Sequence, residues 1–331
     1  MQDLSAYNSF GLHVRAEDLV MIHSIEDLQK APAGQVLILG KGSDVLFTDD
    51  YHGTILVNDI HGFQVEEKDG YYLIKAGGGL LLDVVIEDLV ARNISGLENL
   101  SAIPGTVGAA PIQNVGAYGM EIGQVVENVT FYDLDRRCLE TFDREQCEFG
   151  YRNSYFKRHR ERRLFITEIT LRLTKEFKPK LSYRGLEGHV FETPYQLREQ
   201  VIALRRKKLP DPKTVGNAGS FFKNPQVSAE KAQELKRIYP DIPLYPQSDG
   251  TVKLAAGWLI DKAGCRNITH GRAGTWENQA LVIVNRGGAC PHEIVALAKY
   301  IVCEVMNRFS IVLEPEVRIY GAYGEVSWGS L

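Results

Sequence analysis

Short apolar runs separated by glycine dominate the first half of the chain, a pattern typical of strands joined by tight turns. One stretch of about residues 80–93 has helical spacing instead, with apolar side chains at Leu81, Val84, Val85 and Leu89. Since no regular alternation of strand and helix follows, the pattern predicts an α+β fold. Strands are expected at 35–39, 54–57, 71–76, 125–134, 139–142 and 164–173, the last three in an antiparallel sheet.

The second half changes character near Pro179. Thr193 and Pro194 are typical of an N-cap and a first helical position, so a helix is expected from there to about Lys208. Further helices are expected over 229–238, 254–263 and 291–309, and strands over 280–285 and 311–320.

At 331 residues the chain exceeds one typical single-core domain. We expect a boundary within 176–200. Residues 1–180 would form a first domain of two subdomains that divide near 60–70, completed by 311–331. Residues 195–310 would form a smaller C-terminal α+β domain.

The charge balance narrows the possible partners. With 38 basic and 42 acidic side chains the net charge is -4, which offers no general attraction for nucleic acid or an anionic membrane. No signal peptide or membrane-spanning run is visible. The five scattered cysteines contain no CxxC pair and suit a reducing compartment, without a metal site. The sequence therefore predicts a soluble, cytoplasmic protein.

Two glycine-rich stretches are candidates for ligand binding. Residues 40–44 (GKGSD) follow an expected strand, where successive backbone amides can form a nest for a diphosphate; a tight β-turn is the alternative. Residues 103–119 (IPGTVGAAPIQNVGAYG) are rich in small residues and carry no charged side chain. Such a loop suits a backbone-lined cradle for a flat ligand, while a packed structural crossover is the alternative.

Together with further motifs along the chain, these stretches resemble a known family, the UDP-N-acetylenolpyruvoylglucosamine reductases. The resemblance implies a first domain of the FAD-binding, vanillyl-alcohol-oxidase type and a second domain that binds substrate. It rests on NSFG (8–11), LILGKGSDVLF (37–47), GLENLSAIPGTVGAAPIQNVGAYG (96–119), FGYRNSYFK (149–157), KLPDPKTVGNAGSFFKNP (208–225), KLAAGWLIDKAG (253–264), QALVIVN (279–285) and LEPEVRIYG (313–321).

The resemblance implies noncovalent FAD, because neither glycine stretch contains a histidine. Asp44 departs from the asparagine common in the family, and a carboxylate beside a diphosphate is repulsive unless it is turned away or hydrogen-bonded. The implied cofactor contacts are Gly40, Lys41, Gly42, Ser43, Asp44, Gly105, Thr106, Gly108, Ala109, Ala110, Gln113, Asn114, Gly116, Ala117, Tyr118 and Arg318.

Three residues are implied as catalytic: Arg152, Ser220 and Glu316. Arginine offers a planar fork for the substrate carboxylate, a protonated glutamic acid could donate a hydrogen bond to it, and the serine would protonate the neighbouring carbon. Each has a simpler interpretation: Arg152 in an ion pair, Glu316 paired with Arg318 on one strand face, and Ser220 as a loop or capping residue. Alternatively, Ser220 positions the substrate while Glu316 carries the proton.

Four further residues match substrate-contacting positions: Tyr183, Lys208, Asn224 and Gln279. Tyr183 corresponds to the mobile tyrosine of the type I branch, so residues 178–187 would form a lid. The rest of the basic run, Arg205 to Lys207, is explained by a solvated helix C-terminus. NADPH is implied as the hydride donor, alternating with substrate, in a monomer.

The sequence is compatible with three functions. The leading one is NADPH-dependent reduction of UDP-N-acetylglucosamine enolpyruvate to UDP-N-acetylmuramate through FAD, in peptidoglycan precursor synthesis. The second is an FAD oxidase of an alcohol or lactone, and the SFFKNP and LEPEVR motifs weigh against it. The third is a nucleotide-sugar binding protein without catalysis, which the joint presence of Arg152, Ser220 and Glu316 disfavours.

Overall fold

The computed structural model describes residues 1–331, and their contacts group them into two compact units. Unit 1 comprises Met1–Gln2, Ala16–Gly42 and His52–Lys207; unit 2 comprises Asp3–Arg15, Ser43–Tyr51 and Lys208–Leu331. Residues 311–331, which we expected to complete the first domain, belong to unit 2. The segment up to Lys207, most of which we expected at the start of the C-terminal domain from residue 195, belongs to unit 1. Contact grouping does not show which segments bind which ligand, so the functional domain boundaries stay a prediction.

The chain forms seven α-helices and twenty-one strands, several of only two residues. The helices are α1 (Ile25–Gln29), α2 (Leu82–Ala91), α3 (Tyr155–Arg158), α4 (Pro194–Lys208), α5 (Ala229–Ile238), α6 (Ala256–Lys262) and α7 (Pro291–Phe309). The strands are β1 (Gln2–Asp3), β2 (Arg15–Ile22), β3 (Val36–Leu39), β4 (Val45–Phe47), β5 (Tyr51–Asn58), β6 (Phe63–Glu67), β7 (Tyr71–Gly77), β8 (Gly116–Ala117), β9 (Met120–Glu121), β10 (Val126–Asp133), β11 (Cys138–Asp143), β12 (Leu164–Thr174), β13 (Gly216–Ser220), β14 (Gln226–Val227), β15 (Leu244–Pro246), β16 (Val252–Leu254), β17 (Thr269–His270), β18 (Ala273–Trp276), β19 (Gln279–Asn285), β20 (Arg318–Gly321) and β21 (Gly324–Glu325).

Unit 1 is built on two larger sheets and a two-stranded sheet of β8 and β9. A four-stranded sheet has the order β1-β2-β5-β3, and a five-stranded sheet has the order β11-β10-β12-β7-β6. The expected antiparallel pairing of β10, β11 and β12 is confirmed. The chain passes from one sheet to the other between Asn58 and Phe63. The larger core lies between the five-stranded sheet, α2 and the glycine loop that we define as residues 103–119.

Helix α2 exists where its spacing predicts it, but it is rotated by about one position. Leu82, Val85, Ile86, Leu89 and Val90 are buried, whereas Leu81 and Val84 are 42% and 52% exposed. The buried set follows the i, i+3, i+4, i+7, i+8 repeat more completely than the set we expected, so it gives the wider apolar stripe.

Unit 2 contains three small sheets, with the orders β13-β19-β18-β17, β14-β16-β15 and β21-β20-β4. The expected strand over 311–320 is wrong for most of its length, because regular pairing begins only at Arg318. Before it, Pro315 forms an isolated bridge with Phe222. Proline lacks a backbone N–H and therefore cannot extend the ladder. No helix of the protein is both long and apolar enough to span a bilayer.

Candidate functional site

In unit 1, Gly40 of the GKGSD stretch lies directly against Thr106 of the glycine loop. A Cβ atom added at Gly40 would lie 2.7 Å from Thr106 Oγ1. Thr106 is 2% exposed, and its hydroxyl has no hydrogen-bond partner within the chain. A buried hydroxyl without a partner is unfavourable, so this atom is suited to a polar ligand atom that the protein does not supply.

The glycine loop holds an irregular backbone conformation. Its regular structure is limited to a 3₁₀ turn at Val107–Ala109 and the short strand β8, as its composition predicts. Positive φ angles occur at Gly105 (129°), Asn114 (49°), Tyr118 (50°) and Gly119 (84°). The two non-glycine residues are uncommon in this region, so neighbouring contacts must hold them there.

Gly108 has a packing reason to be glycine. A Cβ atom there would lie 2.8 Å from Asn58 Nδ2, and the Gly108 N–H donates to the Gly78 carbonyl at 2.8 Å. The loop is therefore seated directly on the strands of unit 1.

The side chain of Asn114 fixes the loop. It is 2% exposed, donates from Nδ2 to Glu121 Oε2 and to the Gly150 carbonyl, and accepts the Gly123 N–H. Both amide hydrogens are therefore committed to the protein, and any cofactor contact of Asn114 falls to its backbone. Of its neighbours, Gln113 accepts a bond from Lys157 Nζ at 2.9 Å, Ala110 is buried, and Ala109 is exposed.

Arg152 lies against the same loop. Its Nη2 donates to the Gly116 carbonyl at 2.8 Å, and a Cβ atom on Gly116 would lie 3.2 Å from its Nη1. Ser154 caps α3 and donates to the Ile112 carbonyl at 2.5 Å, while Lys157 Nζ donates to the Arg152 carbonyl. The YRNSYFK motif thus attaches the arginine to the loop, with Arg152 itself in a left-handed conformation (φ 50°).

The end of the loop is joined to residues 178–187, the segment expected to be a lid. The rings of Tyr118 and Tyr183 meet edge to face with centroids 4.8 Å apart. Asn99 Nδ2 donates both to the Tyr118 carbonyl (2.7 Å) and to the Lys180 carbonyl (2.9 Å). Sequence reasoning did not single out Asn99, although it stands inside the matching GLEN stretch.

Arg205 was also missed, since we expected a solvated cation at the end of a helix. It is instead half-buried, and its guanidinium donates a hydrogen bond to the Tyr118 phenol. Burial raises the pKa of Tyr118 to about 12 and lowers that of Arg205, so Tyr118 is a neutral phenol at physiological pH.

Unit 2 brings Ser220 and Glu316 onto adjacent backbone segments. The Glu316 N–H donates to the Phe221 carbonyl at 2.8 Å, and Phe221 N–H donates to the Leu281 carbonyl. Both side chains are half-buried. Asn217 Oδ1 accepts the N–H of Gly219 (φ 70°) at 2.9 Å, which shapes the bulge that ends at Ser220.

Arg318 forms an ion pair with Glu325. Its Nη2 donates to Glu325 Oε2 at 2.7 Å, and the guanidinium lies over the Tyr320 ring. Burial opposes the charge, but Tyr320, Glu325 and Asp44 outweigh it and raise the pKa of Arg318. The Asp44 carbonyl also accepts the Arg318 N–H, and the negative charge of the Asp44 carboxylate contributes to the raised pKa of Arg318.

The remaining residues of the 40–44 stretch are split between the units. Lys41 is exposed in unit 1 and Gly42 is buried with a φ of 62°. The Ser43 carbonyl, in unit 2, accepts the Ser9 hydroxyl of the matching NSFG stretch at 3.1 Å.

Two of the expected substrate residues approach the first turn of α6. Asn224 Oδ1 accepts the Ala256 N–H at 2.9 Å, and a Cβ atom on Gly257 would lie 2.5 Å from Gln279 Oε1. Lys208 is the last residue of α4 and is half-buried. Their contacts with substrate stay predictions.

The residues present fit FAD. A side chain at Gly40 would collide with the Thr106 hydroxyl, which is buried and has no hydrogen-bond partner, so these two residues line an uncharged cradle. The permanently charged Arg318 is attached to the second half of the GKGSD stretch through the bond of its backbone N–H to the Asp44 carbonyl.

Comparisons with known proteins agree with this reading of the two halves. Residues 16–140 match the family model of an FAD binding domain, and residues 211–320 match that of the UDP-N-acetylenolpyruvoylglucosamine reductase C-terminal domain. The crystal structure of the reductase from Thermus caldophilus superposes with a TM-score of 0.68 at 24% identity, covering 96% of both chains. That similarity shows a shared fold.

Sequence relatives extend the agreement over nearly the whole chain. The UDP-N-acetylenolpyruvoylglucosamine reductase of Pectobacterium atrosepticum is 45% identical over 98% of this chain and 96% of its own length. That of Idiomarina loihiensis is 41% identical over 98% of both. The chain therefore belongs to the UDP-N-acetylenolpyruvoylglucosamine reductase family.

Proposed function

We propose that this chain reduces UDP-N-acetylglucosamine enolpyruvate to UDP-N-acetylmuramate, with NADPH as the hydride donor and FAD as the carrier. The reaction serves peptidoglycan precursor synthesis. Full-length family membership supports the activity, and the observation that carries the cofactor is the buried, unsatisfied Thr106 hydroxyl beside Gly40. Bound FAD would accept a hydride from NADPH and pass it to the enol ether.

The cofactor would be held mainly by backbone. Gly105, Thr106, Gly108 and the residues up to Tyr118 would line the ring and ribityl chain, with Gly40 to Asp44 at the diphosphate. Asn114, Ser154 and Lys157 hold the loop through side-chain bonds, which would preorganise the cradle for the cofactor. Such preorganisation lowers the ordering entropy lost on binding.

The reduction adds a hydride and a proton across the carbon–carbon double bond. Negative charge therefore develops toward the substrate carboxylate, and a fixed cation with two parallel N–H donors stabilises it. Arg152 is suited to this role because its charge is permanent and its position is fixed through Gly116.

Ser220 would supply the proton to the carbon next to the carboxylate, and Glu316 would hydrogen-bond the carboxylate. What supports the pairing is the backbone bond that links Glu316 to Phe221, directly after Ser220. Rigid attachment matters, since a proton donor must lie within hydrogen-bond reach of the atom it protonates.

The UDP moiety would be bound by Lys208, Asn224 and Gln279, with Tyr183 covering the nucleotide. Tyr183 lies in a segment without helix or strand, where a lid can move with little loss of backbone hydrogen bonding.

The protein would act as a monomer in the cytoplasm. Its five cysteines are all free thiols, and Cys290 and Cys303 are exposed, which suits a reducing compartment. Light scattering coupled to gel filtration tests the monomer, which has a mass of 37.1 kDa.

Steady-state turnover tests the function. NADPH consumption should require UDP-N-acetylglucosamine enolpyruvate, and mass spectrometry should show a product two hydrogens heavier that carries a lactyl ether. NADPH consumption at the same rate without the sugar, with oxygen taken up instead, would contradict this function.

A further inference from the structure

Two arginines on helix α4 reach opposite ends of the glycine loop. Arg198 and Arg205 are seven residues apart, which places both on the same face of the helix. Neither is a freely solvated surface cation: Arg198 is 6% exposed and Arg205 is half-buried. Buried arginines require partners, and the partners of both belong to the structure around the loop.

Arg198 acts on the start of the loop through Asp83. Its Nη1 and Nη2 lie 2.5 and 3.3 Å from the two oxygens of that carboxylate, a bidentate pair. Asp83 Oδ1 also accepts the N–H of Ala102 at 2.6 Å. Ala102 has a φ of 56°, an unfavourable conformation for alanine, and it is the last residue before the loop.

Arg205 acts on the end of the loop through Tyr118. The guanidinium donates to the phenol, and Tyr118, like Ala102, has a positive φ (50°). The Tyr118 ring also packs against Tyr183, and Leu204 lies 3.3 Å from where a Cβ atom of Gly185 would stand. The contact at the end of the loop is therefore shared with the lid segment.

We propose that α4 is a brace for the glycine loop, in which Arg198 fixes the start of the loop through Asp83 and Arg205 fixes its end through Tyr118. Both arginines are positioning residues for the cofactor, and in this respect the inference rests on the proposed FAD site. Because the far end also carries the lid, Arg205 links cofactor binding to substrate binding, whereas Arg198 does not.

Amide hydrogen exchange of the apoprotein tests the brace independently of any ligand. Arg205→Met removes the donor and keeps the apolar stem; exchange should rise about ten-fold in residues 115–119 and stay within about two-fold in residues 100–106. In Arg198→Met, exchange should rise about ten-fold in residues 100–106 and stay within about two-fold in residues 115–119. Arg206→Met, on the exposed face of the same helix, is the control and should match the parent at both ends.

FAD titration and kinetics test the positioning role. Each of the two variants should weaken FAD binding by about ten-fold, and only Arg205→Met should also raise KM for the enolpyruvyl sugar. In a double-mutant cycle, Arg205→Met should add less than about two-fold to the FAD defect of Tyr118→Phe, because both remove the same bond. Arg205→Lys, which keeps a donor, should recover part of the affinity.

Three results would overturn the brace. Exchange could be faster by the same factor at both ends of the loop in Arg198→Met and Arg205→Met, or both variants could exchange like Arg206→Met. The FAD-affinity losses of Arg205→Met and Tyr118→Phe could also multiply in the double variant. If the parent protein bound no FAD, the proposed function would fail, while the end-specific exchange pattern would still decide on the brace.

Discussion

The guanidinium of Arg152 donates a hydrogen bond from Nη2 to the carbonyl oxygen of Gly116, 2.8 Å away. This bond attaches the proposed carboxylate-binding cation directly to the loop proposed to line the flavin. Arg152, for which an ion pair was the simpler interpretation, thus contacts the backbone of the loop itself.

Replacing Arg152 by lysine should therefore separate charge from geometry. Lysine keeps the positive charge but cannot form two parallel bonds to a carboxylate, so flavin reoxidation by the enolpyruvyl sugar should slow by about 10²-fold. Stopped-flow absorbance follows each half-reaction, and flavin reduction by NADPH should change little. Arg144→Lys, at an exposed position of unit 1, is the matched control. A normal reoxidation rate in Arg152→Lys would remove the bidentate role.

Ser220→Ala should act on the same half-reaction by a different route. Without the proton donor, reoxidation should slow by about 10³-fold while reduction by NADPH stays nearly intact. Ser228→Ala removes the cap of α5, where the hydroxyl accepts the Lys231 N–H, and should lower stability by about 1 kcal/mol without affecting either half-reaction. Equal losses in both half-reactions of Ser220→Ala would assign the serine to structure instead of proton transfer.

Thr106→Val should affect the apoprotein and the holoenzyme in opposite directions. An unpaired buried hydroxyl costs about 1–3 kcal/mol, so its removal should raise the unfolding free energy of the apoprotein by about 1 kcal/mol. If the hydroxyl binds the cofactor, FAD affinity should fall by about ten-fold. Denaturant unfolding and FAD titration measure the two effects.

Thr167→Val provides the matched comparison. Its hydroxyl already donates to the Thr130 carbonyl at 3.1 Å, so the apoprotein should lose about 1 kcal/mol and FAD affinity should stay the same. Unchanged FAD affinity in Thr106→Val would show that this hydroxyl does not face the cofactor.

Glu98 should make stability depend on pH. Burial raises the pKa of this carboxyl above its usual value, against the opposing bonds from the Gly96 N–H. A raised folded pKa means that the contribution of the group to stability is complete below its unfolded pKa of 4.5 and is lost as the pH rises through the folded value. Relative to the parent, Glu98→Gln should therefore become progressively more stable between acidic and neutral pH. Denaturant midpoints that keep a constant difference over that range would contradict this.

Regular elements were predicted well from the sequence where periodicity and caps were strong. Helix α7 spans Pro291–Phe309 and α5 spans Ala229–Ile238, both as expected. The failures have local causes. Pro315 interrupts the ladder before β20, and the two-residue strands carry too few positions to show a period.

The site was harder to predict, because much of it depends on contacts between distant segments. Asn99, Asn217 and Arg205 act by bonds to backbone or phenol groups far away in sequence, and no local pattern distinguishes them from surface polar residues. Arg205 in particular stands in a basic run whose other members, Arg206 and Lys207, are exposed as expected.

Anaerobic spectroscopy of the purified protein with bound FAD tests the central claim most directly. Stoichiometric NADPH should bleach the yellow flavin absorbance, and UDP-N-acetylglucosamine enolpyruvate added afterwards should restore it with formation of UDP-N-acetylmuramate. A protein that stays colourless after incubation with FAD, or a bleached flavin that recovers its colour only when oxygen is admitted, would contradict the account.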